Sequence, residues 1–216
     1  MKIEEVIIVG AVGTALNIAD QINDAFNKYN HHQKVIGFCV DSFPINSVIN
    51  ELPVVSTTSN INDYLYNKPS VRLLYALFRP DIMKDRFQLF NTLNIDRNKL
   101  TNFIHPLTYY PSSLNLGTGN IILSNSTIQS NVSIGDLNII NSNVTIEHNT
   151  QIGVGNFIAA NVAIGANVLL GSHNFIGLNS SIRENVSLDE VFVGMHSLVL
   201  SNHSNAKIFG IPAKEK

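Results

Sequence analysis

The sequence predicts a chain in two parts, a small parallel α/β domain followed by a triangular coil of short parallel β-strands. In the C-terminal half an aliphatic residue recurs at every sixth position, and in the N-terminal half short apolar runs alternate with helical patterns. A period of six fits neither a helix nor a single strand, so it describes a larger unit, one short strand with its corner. Three such units close a coil of about eighteen residues.

The six-residue units, or hexads, of the coil repeat the same residue types at three positions. The aliphatic positions are Leu116, Ile122, Ile128, Ile134, Ile140, Ile146, Ile152, Ile158, Ile164, Leu170, Ile176, Ile182 and Leu188. The residue two places earlier stays small or β-branched, as at Val144 and Thr150, so stacked ladders of like side chains can fill a narrow prism. The residue after the aliphatic one is often glycine, as at Gly135 and Gly153. This recurrence predicts corners that need positive φ or close backbone approach.

The N-terminal half alternates strands with helices. An apolar run at 6–9 ends in a glycine turn from Gly10 to Gly13, and residues 15–26 carry apolar side chains at helical spacing. Strands are also predicted at 35–40 and 71–77, the latter leading into a helix around 82–93. This order implies a parallel sheet whose ligands bind beyond the carboxyl ends of its strands. The turn has two of the three glycines of the dinucleotide fingerprint, so a phosphate cradle and a plain structural corner both stay open.

Composition narrows the functional classes. The chain has 216 residues, enough for two modest domains, and a net charge of −2 without a basic run, which argues against nucleic acid or an anionic membrane as the main partner. No apolar stretch reaches the roughly 18 residues of a spanning helix, and residues 1–10 lack a signal-peptide layout. We therefore expect a cytoplasmic protein. Cys39, the only cysteine, lies in an apolar strand and is interpreted as a core residue.

The coil resembles the left-handed parallel β-helix of hexapeptide-repeat acyltransferases, and its handedness is taken from that resemblance. Residues 209–214, Phe-Gly-Ile-Pro-Ala-Lys, look like the G-x-P-A-K closing segment of that superfamily. With the α/β domain and the Ile-His-Pro segment at 104–106, nearly the whole chain resembles the sialic-acid O-acetyltransferase and bacillosamine N-acetyltransferase family of bacterial sugar acyltransferases. The resemblance implies a Rossmann-like domain for a sugar or nucleotide-sugar over 1–103. It also implies a left-handed β-helix acyltransferase domain over 104–216, trimeric, with acetyl-CoA at the subunit interfaces.

The same resemblance implies acetyl-CoA-dependent N- or O-acetylation of a sugar, nucleotide-linked, in bacterial surface-glycan biosynthesis. His148, in the segment Ile146-Glu147-His148, matches the catalytic histidine of the family. An imidazole suits this step, since it can take a proton from a sugar amine or hydroxyl near neutral pH. On the residues alone, His148 would be interpreted as a solvated turn histidine.

Matching of motif positions gives the remaining site residues. The implied substrate-binding positions are Val12, Gly13, Thr14, Asp41 and Arg79, and the implied coenzyme contacts are Phe157, Leu178 and Met195. Asn149 joins His148 in the catalytic group, where the bacillosamine members carry a glutamate that raises the basicity of the histidine. Phe157 and Thr14 stand where those members have histidines, and Phe78 where they have a glycine. Glu147 is a secondary candidate acid, with Arg183 two coils away as its expected partner.

Three alternatives accompany this interpretation. A metal site would need ligands near multiples of eighteen residues apart or from a partner subunit at matching height. His148 and His173 are twenty-five apart, on different faces, so we expect no metal. A binding or assembly protein could keep the coil without turnover, which Asn149 and Phe157 would favour. A third possibility is a different acyl donor, because Phe157 could reshape the thioester end of the groove.

Overall fold

The computed structural model describes residues 2–216 and begins with a five-stranded sheet in the order β3-β4-β2-β1-β5. All neighbours are parallel except β3, which pairs antiparallel with β4. The strands are β1 (Glu4–Val9), β2 (Gln33–Cys39), β3 (Val48–Ile49), β4 (Leu52–Ser56) and β5 (Arg72–Tyr75). The helices are α1 (Thr14–Tyr29), α2 (Ile61–Asn67) and α3 (Met83–Thr92), with short 3₁₀ turns at Thr58–Asn60 and Arg97–Lys99.

The predicted α/β alternation is confirmed, with shorter bounds for β5 and with three elements that the sequence did not indicate, β3, β4 and α2. β4 was missed because its five residues include Pro53, which weakens a strand pattern, and α2 has only seven residues. Cys39 is buried in β2, and this burial raises the pKa of its thiol to about 12, which confirms it as a core residue. No helix within residues 2–216 has the length and apolarity needed to cross a membrane.

The C-terminal half is a three-faced coil of parallel strands, as predicted. The first face holds β6 (Phe103–Ile104), β8 (Ile121–Ile122), β11 (Ile139–Ile140), β14 (Phe157–Ile158), β17 (Phe175–Ile176), β20 (Phe192–Val193), β23 (Lys207–Phe209) and antiparallel β24 (Lys214–Glu215). The second holds β9 (Thr127–Ile128), β12 (Thr145–Ile146), β15 (Ala163–Ile164), β18 (Ser181–Ile182) and β21 (Leu198–Val199). The third holds β7 (Asn115–Leu116), β10 (Ser133–Ile134), β13 (Gln151–Ile152), β16 (Leu169–Leu170), β19 (Ser187–Asp189) and β22 (His203–Ser204). The first edge joins the first and second faces, the second edge joins the second and third, and the third edge joins the third and first.

The aliphatic positions of the hexads have the predicted burial, and the glycines that follow them meet one of the two backbone conditions that the sequence suggested. From Ile122 to Leu188 the periodic aliphatic residues are all buried, and they stack in register between coils. Of the two causes that the sequence suggested for the glycines after them, positive φ does not apply, since it lies three residues before the aliphatic position, as at Asn149 (φ 60°). Close approach explains the glycines, since a Cβ on Gly135 would lie 2.7 Å from the carbonyl oxygen of Gly153. Beyond Leu188 the coils shorten, since Ile176 pairs with Val193, seventeen residues on, and Val193 pairs with Ile208, fifteen residues on.

A ladder of buried asparagines runs along the start of the first face. Its members, one on each coil, are Asn120, Asn138, Asn156 and Asn174, all 0% exposed. Each side-chain oxygen accepts a hydrogen bond from the backbone N–H one coil further on, over 2.8–3.0 Å. Because buried amides need partners, this column ties the coils together at an otherwise apolar face.

The N-terminal domain packs on the first face. Ile121 and Ile139 point out of the coil, yet both are 0% exposed, because they join one apolar cluster with the residues of β1 and α1. Gln21 of α1 donates to the Ser142 hydroxyl over 3.2 Å and accepts from the Ser124 N–H over 3.0 Å. The two halves therefore share one core, and α1 is fixed against the first edge.

Candidate functional site

His148 lies at the second edge, in the turn between β12 and β13, and it is exposed. Its carbonyl accepts a hydrogen bond from the Asn167 N–H over 3.1 Å, which anchors the turn to the next coil. Its Nδ1 lies 3.1 Å from the amide nitrogen of Asn149, and within residues 2–216 its Nε2 has no hydrogen-bond partner. An imidazole on a rigid turn with one free nitrogen can exchange a proton with a bound molecule.

Asn149 belongs to an exposed column at the second edge, which we call the edge column: Asn131, Asn149 and Asn167. All three have left-handed backbones, with φ between 57° and 60°, a region that asparagine tolerates better than most residues. Their side chains form a chain of hydrogen bonds, from Asn131 Nδ2 to Asn149 Oδ1 and from Asn149 Nδ2 to Asn167 Oδ1, each 3.3 Å long. The eighteen-residue spacing of this column was visible in the sequence, but its link to His148 required the structure.

Glu147 does not form the expected pair with Arg183. The ion pairs among the described residues do not include one between these two side chains. They occupy the same column two coils apart, and both long side chains would have to lie along the surface to meet. An ion pair at the protein surface gains too little free energy to hold them there, so the prediction of this pair was wrong.

The predicted coenzyme positions lie on other parts of the prism. Leu178 and Met195 occupy successive coils at the first edge and are 46% and 69% exposed. Phe157 is half-buried on the first face, where its ring stacks on Phe175 at 5.5 Å and packs against the core shared with the N-terminal domain. Leu178 and Met195 therefore offer an apolar strip that a coenzyme could lie along, whereas Phe157 is held inside a packed junction.

One chain does not bring the catalytic and coenzyme positions together. His148 is at the second edge, and Leu178 and Met195 are at the first edge. The second face separates these edges in every coil. Side chains on the two edges can meet only if the second edge of one chain lies against the first edge of another.

The predicted substrate positions cluster at the carboxyl ends of the strands in the N-terminal sheet. Val12 and Gly13 are exposed in the turn after β1, and Thr14 begins α1, whose first turn receives no side-chain cap from the described part of the chain. Asp41 follows β2, but its carboxylate already accepts from the Thr58 N–H over 2.8 Å and the Thr58 hydroxyl over 2.6 Å. The turn after β1 thus keeps free N–H groups for an anion, while Asp41 also holds the 3₁₀ turn that precedes α2.

Arg79, the last of the predicted substrate positions, follows β5 and is paired within its own loop. Its guanidinium donates two hydrogen bonds to Asp81, over 2.7 Å and 3.2 Å, and both side chains are more than half exposed. The pair is worth little to stability at such exposure. A bound phosphate could therefore compete with Asp81 for the guanidinium.

The structure adds one cluster that the sequence did not indicate, around His173 at the third edge. A cavity of about 260 Å³ separates the start of α3 from the coil there. At this cavity Lys84 Nζ donates a hydrogen bond to Glu190 Oε1 over 2.8 Å. The ring centroids of Phe87 and His173 lie 4.6 Å apart. Burial lowers the pKa of His173. Since Phe87 and His173 are far apart in the chain, the hexad pattern held no signal for this contact.

Metal ligands do not converge in the part of the chain that the structure describes. Among residues 2–216, no group of three histidine, cysteine, aspartate or glutamate side chains is placed to hold a metal ion.

No protein-family model matches the chain, and no curated protein matches it. Solved structures do. PerB from Caulobacter crescentus, in complex with CoA and GDP-perosamine, is 23% identical, with a TM-score of 0.82 over 98% of this chain and 97% of that one. A histidine-to-asparagine variant of perosamine N-acetyltransferase from the same organism is 22% identical, with a TM-score of 0.83 over 98% of this chain and 96% of that one. The acetyltransferase domain of PglB from Neisseria gonorrhoeae is 20% identical, with a TM-score of 0.82 over 99% of this chain and 100% of that one. From its α/β domain to its last coil, the chain therefore has the fold of these solved acetyltransferases.

Proposed function

We propose that the chain is a bacterial sugar acetyltransferase that moves the acetyl group of acetyl-CoA to an amine or hydroxyl of a nucleotide-linked sugar. The whole-chain likeness to PerB, with a TM-score of 0.82, carries this proposal. The PerB structure contains CoA and GDP-perosamine, and a structure of the PglB domain contains acetyl coenzyme A. By the same analogy the coil is left-handed, the N-terminal domain is Rossmann-like, and the enzyme works in the cytoplasm on precursors of surface glycans.

The placement of the edges supports a homotrimer. A ring of three prisms sets the second edge of each chain against the first edge of the next, in a closed heterologous arrangement. His148 of one chain would then face Leu178 and Met195 of its neighbour. The N-terminal domain would present the sugar through the positions after its strands, Val12, Gly13, Thr14, Asp41 and Arg79.

The chemistry follows from one exposed imidazole. The sugar nitrogen or oxygen attacks the thioester carbonyl carbon and forms the new bond, while His148 takes the proton of the nucleophile. Collapse of the tetrahedral intermediate breaks the C–S bond, and the proton passes to the departing thiolate. Backbone N–H groups at the corners would stabilise the oxyanion.

The proposal is tested by measuring the release of free thiol from acetyl-CoA in the presence of candidate acceptors. The acceptors are amino and neutral sugars, each tested both nucleotide-linked and free. The proposal expects release with at least one nucleotide-linked sugar, and His148→Ala should lower it on the order of a hundredfold or more with little change in coenzyme affinity. Equal rates in the wild type and the variant would return His148 to the role of a solvated turn residue.

The competing function is a coenzyme-binding assembly protein without turnover. The observation that favours it is the contact between the Asn149 amide and His148 Nδ1, because a neutral amide stabilises an imidazolium less than a carboxylate does. Binding of coenzyme without thiol release from any sugar would select this alternative.

A further inference from the structure

We propose that the edge column, Asn131, Asn149 and Asn167, determines which ring nitrogen of His148 carries the proton. These residues would then be positioning residues for the base. The protonation of the ring is a property of the free protein, and only its catalytic consequence rests on the proposed function.

The polar groups of the Asn149 amide are all engaged. One N–H donates to Asn167 Oδ1 over 3.3 Å, and the nitrogen lies 3.1 Å from His148 Nδ1, while the oxygen accepts from Asn131 Nδ2 over 3.3 Å. An amide N–H can bond to Nδ1 only if that nitrogen has a free lone pair. The neutral ring therefore carries its proton on Nε2.

This arrangement leaves His148 in the tautomer that donates at Nε2, the nitrogen without a hydrogen-bond partner among residues 2–216. To accept a proton there, the ring must move its proton to Nδ1, and Asn149 must turn its oxygen toward that nitrogen. The turned amide would point its N–H groups at Asn131 and its oxygen at Asn167. Both neighbours must turn too, so the three amides reverse together.

Aspartate substitutions can separate the two orientations, because a carboxylate accepts hydrogen bonds and donates none. Asn131→Asp removes the donor to the Asn149 oxygen and attracts its N–H groups, which favours the reversed column. Asn167→Asp keeps an acceptor where the present orientation needs one. The two variants add the same charge one coil to either side of Asn149, and aspartate tolerates left-handed φ as asparagine does.

The experiment is ¹⁵N NMR of the full chain labelled on its histidine rings, with the His148→Gln spectrum to assign the signals of His148. Asn185→Asp is the matched control, since Asn185 continues the column with φ 61° but makes no side-chain hydrogen bond within the described residues. We expect an unprotonated Nδ1 in the wild type, Asn167→Asp and Asn185→Asp, and a protonated Nδ1 in Asn131→Asp. The proposal is overturned if Asn131→Asp and Asn167→Asp protonate the same nitrogen.

The catalytic consequence is read separately, from the pH dependence of thiol release. Asn131→Asp should be several-fold faster near neutral pH than Asn167→Asp, although both carry the same added charge. If the tautomers differ between the variants but the rates do not, the edge column still positions the ring, and His148 is not the base. Such a result would count against the proposed function alone.

Discussion

The buried asparagine ladder should be the most sensitive part of the coil, and Asn156→Ala tests it. The Asn156 side chain makes four hydrogen bonds: its oxygen accepts from the N–H and the amide of Asn174, and its nitrogen donates to Asn138 Oδ1 and to the Gly171 carbonyl, over 2.8–2.9 Å. Asn138 Oδ1 would keep a second donor, the Asn156 N–H at 2.9 Å. The N–H and the side-chain amide of Asn174 would be buried without a hydrogen bond, whereas the Gly171 carbonyl belongs to a half-buried residue.

An unpaired buried polar group costs about 1–3 kcal/mol. Two such groups would cost about 2–6 kcal/mol, and entry of a water molecule into the space left by the amide brings the expected loss to about 2–4 kcal/mol. Urea unfolding at fixed protein concentration measures this, with Asn115→Ala as the control. Asn115 is exposed on β7 without a side-chain hydrogen bond among the described residues, so its loss should stay within about 0.5 kcal/mol. Equal unfolding midpoints for the two variants would refute the energetic role of the ladder.

Three further outcomes are expected. Light scattering should give three times the chain mass of 23.8 kDa, and a stable monomer at micromolar concentration would remove the proposed site. Asn149→Glu should move the rate profile to higher pH with a higher plateau, because a carboxylate stabilises the imidazolium of His148; an unmoved profile would uncouple position 149 from the base. Burial lowers the pKa values of His31, His105 and His173, so the unfolded chain binds more protons below the ordinary value of 6.5. Stability to urea should therefore be full above that pH and fall below it, and a flat dependence would contradict this.

The coil could be predicted because its information is local and repeated. Each hexad repeats the same pattern of apolar and polar residues. The burial of the aliphatic residues up to Leu188 could therefore be predicted correctly without knowledge of any long-range contact. The corner chemistry was harder, since glycine serves both positive φ and close approach, and only the structure shows that Gly135 needs the second. The shortened coil after Leu188 lay beyond the unbroken register.

Contacts between the two halves could not be predicted. Gln21 and Ser142 stand 121 residues apart, and each looks like an ordinary surface residue in its own element. Ile121 and Ile139 take outward strand positions, and their burial depends on a domain that the hexad pattern does not describe. The residues of the candidate site came from motif matching, but the division of His148 and Met195 between two edges follows only from the assignment of strands to faces.

Subunit mixing tests the central claim, that acyl transfer occurs between the second edge of one chain, which carries His148, and the first edge of another, which carries Leu178 and Met195. Trimers of His148→Ala alone would lack the base, and trimers of Leu178→Glu with Met195→Glu would lack the apolar strip. Refolded together in equal amounts, the two chains should recover about a quarter of the wild-type rate of thiol release, because random mixing restores about one interface in four. If mixed trimers form, as mass spectrometry would verify, and no activity returns, the site does not lie between chains.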